Sequence, residues 1–179
     1  MINGTDRRRR ELENIRVRKQ LNPSLAVENE AEYEINKKNS TINVSGLSRD
    51  FNFYRFKTTP LLSYRPRQEI EIINKGIFAV AKDKVSSSAV QSWSYGPEII
   101  YSFNNKGRVD VAATVTRIVL NDSNLPLPFE ITEGHARGWN GNWLCSLDYR
   151  LNNNVSISFN YSGRKEPKQS VIHLGSAEF

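Results

Sequence analysis

The chain has 179 residues, 38% of them hydrophobic, long enough for one domain with its own core. No run approaches the roughly 20 apolar residues of a spanning helix, so a helical membrane protein is excluded; a β-barrel, whose lipid-facing residues alternate with polar ones, is not. The net charge of +6 sits largely at the start: Arg7, Arg8, Arg9, Arg10, Arg16, Arg18 and Lys19 face Asp6, Glu11 and Glu13, and the rest is nearly balanced.

Residues 1–24 read as a basic N-terminal segment. Four consecutive arginines would attract phosphates of nucleic acid or lipid. No recognition helix or base-stacking motif accompanies them, so a solvated, disordered tail or linker is favoured and nucleic acid is not an expected partner. Ile15 and Val17 also allow an extra charged strand turning at Asn22-Pro23-Ser24. Met1 to Asp6 is polar and arginines follow where a leader's apolar stretch would lie. The chain as written is therefore expected to be cytosolic, or a mature or excised piece of something longer.

From Leu25 onward the dominant signal is period two. Leu25, Val27, Asn29, Ala31, Tyr33 and Ile35 alternate with Glu28, Glu30, Glu32 and Glu34. A helix would scatter these glutamates; a strand puts them on one side. Residues 36–40 read as a turn, and the facing changes near Gly46 and around Phe51 to Phe56, as a bulge or loop would cause. Leu62, Tyr64, Pro66, Gln68, Ile70 and Ile72 oppose Arg65, Arg67, Glu69 and Glu71, and Asn74-Lys75-Gly76 reads as the next turn.

Trp93, Tyr95, Pro97, Ile99, Tyr101 and Phe103 then oppose Ser94, Glu98 and Ser102, before a tight turn at Asn104 to Gly107. Val109 to Val119 follows, interrupted by Arg117. Trp143, Cys145, Leu147, Tyr149 and Leu151 oppose Ser146, Asp148 and Arg150; after Asn152-Asn153-Asn154 come Val155, Ile157, Phe159 and Tyr161, and a last strand runs from about Ser170 to Phe179. Eight to ten strands are expected. Longer connections fall near 83–92, 121–140 and 163–169, so short and long alternate from Asn74 onward.

This pattern predicts an all-β, antiparallel, up-and-down meander barrel over 25–179, with short turns at one end and longer loops at the other. Trp93, Tyr95, Tyr101, Phe103, Trp143, Tyr149, Phe159, Tyr161 and Phe179 are the candidates to face lipid, since they would crowd a small interior and several lie near strand ends, as an aromatic girdle requires. Glu28, Glu30, Glu32, Glu34, Arg65, Arg67, Glu69 and Glu71 are the charged lumen candidates. The Glu28 to Glu34 row would be balanced by Arg65, Arg67, Arg150 and Lys82, more as a ladder filling a narrow lumen than as a cation filter.

Trp143 to Arg150, the Asn turn, Val155-Ser-Ile-Ser-Phe-Asn-Tyr-Ser-Gly-Arg164 and a strand ending in Phe179 resemble the closing hairpins of Gram-negative outer-membrane β-barrels, in the style of large Bacteroidetes-like ones. The resemblance covers the last 37 residues. It implies a location in the cell outer membrane, a lipid bilayer and the outer-membrane assembly machinery as partners, and a non-catalytic structural, porin-like transport or surface-attachment role. The other readings are a soluble β-barrel or sandwich in cytoplasm or periplasm, binding an apolar ligand or partner protein, and a membrane-barrel enzyme.

No catalytic residue, metal or cofactor is expected. His135, in Glu133-Gly134-His135-Ala136-Arg137-Gly138, would be the base of a hydrolase, yet no nucleophile elbow exists; His173 lies in a strand. Two histidines and Cys145 give no metal-ligand spacing and no internal disulfide. Asn121 to Asn124 is ordinary turn chemistry. Apolar Leu125 to Phe129, with Pro126 and Pro128, makes 121–140 the place for a partner contact or plug.

Overall fold

The computed structural model describes residues 6–40, 50–85, 87–103, 106–121, 135–152 and 154–179. They form nine strands and no helix: β1 Asp6–Asn22, β2 Leu25–Ser40, β3 Phe51–Arg67, β4 Ile70–Asp83, β5 Ala89–Phe103, β6 Gly107–Leu120, β7 Gly138–Arg150, β8 Ser156–Lys165 and β9 Ile172–Glu178. Each pairs antiparallel with its sequence neighbour, in the order β1 to β9, so the all-β meander expected from the alternation is what forms. The sheet is not closed. It curls, but β1 and β9 remain its edges.

The connections segregate by end. β1–β2, β3–β4, β5–β6 and β7–β8 are joined at one end of the sheet by two to five residues, and β2–β3, β4–β5, β6–β7 and β8–β9 at the other by five to seventeen. Asparagine side chains shape two of the short ones. Asn22 Oδ1 accepts the Ser24 amide at 2.9 Å, and Asn152 Oδ1 accepts the amides of Asn154 and Val155 at 2.8 and 2.9 Å, the side-chain mimic of a turn that asparagine provides.

Several expectations are corrected. Of the two readings of residues 1–24, the tail is overturned and the charged strand forms: Arg7 to Arg10 lie in β1, paired with β2 after the turn at Pro23–Ser24. Asn36 to Ser40 is the end of β2, and the register from Lys38↔Phe51 onward is regular, so no bulge falls at Phe51 to Phe56; Gly46 lies outside the described residues. Asn74 to Gly76 is the middle of β4. The turn sits instead at Gln68–Glu69, where neither glycine nor asparagine marks it. Glu69 is thus a turn residue, and a register shift between Tyr64 and Arg67 brings Arg67 opposite Ile70, out of step with Arg65.

Gly163 faces the Trp143 ring across the β7–β8 ladder, and a Cβ there would overlap the indole. The aromatic covers a glycine that would otherwise leave a gap. Gly163→Ala is expected to displace Trp143 and destabilise the sheet by about 1–3 kcal/mol. Gly141→Ala, where nothing lies within 4 Å of the added carbon, is expected to be neutral or slightly stabilising. Equal denaturation midpoints for the two variants would contradict this packing.

Candidate functional site: two chemically opposed faces

The register sorts every strand residue onto one of two faces. The buried side chains Ala26, Glu34, Asn36, Phe53, Ala81, Asp83, Val90, Thr116, Ile118 and Asn140 all belong to the same one. The sheet therefore curls around its polar face. A cavity of about 170 Å³ on that side is lined by residues from β3 to β7, Arg55, Ser94, Thr116 and Asn142 among them, which only a curled sheet can bring together.

From β2 to β8 the opposite face carries most of the large exposed apolar side chains, although Leu12, Leu144 and Leu174 stand exposed on the polar face and β1 brings Glu11, Glu13 and Lys19 to the apolar one. Val27, Tyr33, Ile35, Phe56, Leu62, Tyr64, Phe78, Trp93, Tyr95, Ile99, Tyr101, Val111, Val115, Trp139 and Phe159 all stand on it. This is the reverse of a soluble sheet, in which the apolar face is the covered one.

Eight of its aromatics form two bands, with Tyr95, Trp143 and Tyr161 between them. Trp93, Trp139, Phe78 and Phe56 lie toward the end with the longer connections; Phe103, Tyr101, Tyr149 and Tyr64 lie toward the short turns. Trp93 and Trp139 meet edge to face at 4.9 Å between centroids, and Phe103 stacks between Tyr101 and Tyr149 at 5.7 and 5.6 Å. The bands are ten residues apart, 93 to 103 on β5 and 139 to 149 on β7. At about 3.3 Å per residue that is about 33 Å along each strand, which at the tilt usual in a membrane barrel would span about 25 Å. Between the bands the strands present mainly Ile72, Ile99, Val111, Val115 and Leu147. Two polar pairs cross neighbouring strands here, Tyr95 donating to Asn74 at 2.7 Å and Thr58 to Asn29 at 3.0 Å, while Lys19 of β1 brings a cation to this face opposite Val27.

Tyr161 and Trp143 share this face with His173, whose Nδ1 lies 2.8 Å from the Tyr161 hydroxyl. Phe179 follows β9 and is 94% exposed. The nine aromatic candidates thus comprise eight on the apolar face and a terminal residue beyond the last strand.

The polar face is a ladder of ion pairs. Glu34, its side chain 4% exposed, accepts from Arg10 at 2.6 Å and from Arg55 at 2.7 Å. Arg16 reaches Glu28 at 2.9 Å and Glu30 at 3.5 Å, and Glu32 stands between Asn14 and Lys57 in the register. Arg65 holds Glu71 at 2.6 Å, with Ser63 donating to the same carboxylate. The glutamate row lies where the alternation put it, but its partners are Arg10, Arg16 and Arg55. Arg65 serves Glu71, and Lys82 falls on the apolar face opposite Tyr54. These partners were hidden because cross-strand pairing is non-local.

His135 lines the cavity with Arg55 and Lys57. Among the described residues no group of three metal-ligating side chains exists. Residues 122–134, including Leu125 to Phe129, lie outside the described residues. No known protein-family model matches the chain, and no curated protein matches it in sequence.

Proposed function

We propose that the chain supplies nine strands of an outer-membrane β-barrel, as the whole or the carboxy-terminal part of one, with a non-catalytic role in structure, transport or surface attachment. The observation that carries this reading is the exposed apolar face with its two aromatic bands at bilayer spacing. Exposing that much contiguous apolar surface to water is unfavourable, whereas lipid accepts side chains of any size. The ion-pair ladder on the inner face fits a lumen filled by side chains better than an open conduit.

The edges favour the partial-barrel form. With nine strands in a meander, β1 and β9 run in the same sense. Joining them would need a parallel pair between strands of 17 and 7 residues, whereas single-chain bacterial barrels use even numbers of antiparallel strands. An odd number of further strands between these edges satisfies both.

Refolding with and without detergent micelles, read by far-UV circular dichroism and by the gel mobility of unboiled and boiled samples, tests the proposal. β-structure is expected only with micelles. A chain that folds in plain buffer as a monodisperse monomer would sink it. That outcome would favour the second reading, a soluble binding module, for which the small core of Phe51, Phe53, Ala81, Val90 and Ile118 beside the cavity is the supporting observation.

A further inference from the structure

We infer that Arg117 marks a site on the outer face for the phosphate of an anionic lipid headgroup; this rests on the barrel reading above. Arg117 stands near the end of β6 that leads to the longer connections, in register between Trp93 on β5 and Trp139 on β7. Its neighbours along the same face are Val115 and Val119, so it is the one cation within that stretch of β6. Its guanidinium lies over the Trp139 ring, 5.4 Å from the centroid, and the two indoles meet edge to face. Among the described residues no carboxylate pairs with it. A second exposed arginine, Arg137, precedes Trp139 by two residues.

The level of this cluster decides its partner. Trp93 and Trp139 belong to the aromatic band at the end with the longer connections, where amphipathic rings sit among headgroups. A guanidinium held at that height touches neither bulk water nor the hydrocarbon centre. The anion it meets there is a lipid phosphate, which its planar fork grips in two places. The Trp139 face fixes the guanidinium beforehand, reducing the ordering needed on binding. A structural role alone would be served by any residue able to stack on Trp139, and would not require a charge.

The chain folded in zwitterionic micelles is titrated with short-chain phosphatidylglycerol, with tryptophan fluorescence as the readout. Phosphatidylcholine of equal chain length and inorganic phosphate form the comparison arms. A saturable change is expected with phosphatidylglycerol alone. Arg117→Gln should weaken it about five-fold, the value of one interfacial cation, with Arg137→Gln deepening the loss and Arg117→Lys retaining most of the response. Equal responses to the two lipids, a response to inorganic phosphate, or an unchanged Arg117→Gln titration would each overturn the site while leaving the barrel intact. Folding as a monomer in plain buffer would instead remove the barrel reading, and the lipid site with it.

Discussion

Val111→Arg is expected to cost about 2–4 kcal/mol of folding stability in a bilayer, the depth-dependent penalty for a cation on the lipid face at mid-membrane. Val111 lies on β6 between Ile99 and Cys145 in the register, midway between the two aromatic bands. It is 45% exposed, so no packing argument predicts a large effect. In water, an arginine at such a position would change stability by no more than about 0.5 kcal/mol. Ser146→Arg supplies the control. Ser146 sits on the opposite face across from Asp110, whose Oδ1 is buried without a hydrogen-bond partner, so an added cation there has a carboxylate to meet. Urea titrations of the chain folded into phosphatidylcholine vesicles would measure both. Parity between the two variants would mean that the apolar face does not contact lipid.

The alternation that placed Glu28 to Glu34 on one face and Trp93 to Phe103 on the other was legible because a strand's faces depend only on period two. The hairpin at Gln68–Glu69 was not. Gln68 and Ile70 keep the apolar phase of Leu62 and Tyr64, so the pattern runs through the turn unbroken. Asn74-Lys75-Gly76 has turn composition, yet its residues answer to neighbours far along the chain. Asn74 accepts the Tyr95 hydroxyl, and Gly76 sits under Pro60, whose ring a Cβ would approach to 3.2 Å. Propensity yields to such contacts.

The first strand shows the same limit. Arg7 to Arg10 alone look like a solvated run. They form a strand because β2 offers Glu34 to Arg10 and Asn36 to Arg8, a match that exists only once the chain turns at Pro23–Ser24. The candidate lipid site was half visible: Arg117 was legible as an interruption in an apolar row, but its bracketing by Trp93 and Trp139 depends on the register of three strands.

Glu34→Gln is the most damaging change expected on the polar face, at about 3 kcal/mol. Two arginines converge on this carboxylate, and they differ in what they lose. Arg10 is half exposed and regains water. Arg55, its side chain 12% exposed, cannot. Taking the Glu34 carboxylate from so buried a guanidinium carries most of the penalty. Glu30→Gln breaks a pair of similar appearance, but its partner Arg16 is 62% exposed at 3.5 Å; such pairs contribute about 0–1 kcal/mol. Denaturation in micelles should therefore separate the two variants clearly. Replacing Glu34 and Arg55 together by methionine should recover most of the loss, because the desolvated charges leave as a pair. If the double variant is no more stable than Glu34→Gln, the penalty comes from lost packing around Phe53 and Ala81 and not from the broken Glu34–Arg55 pair.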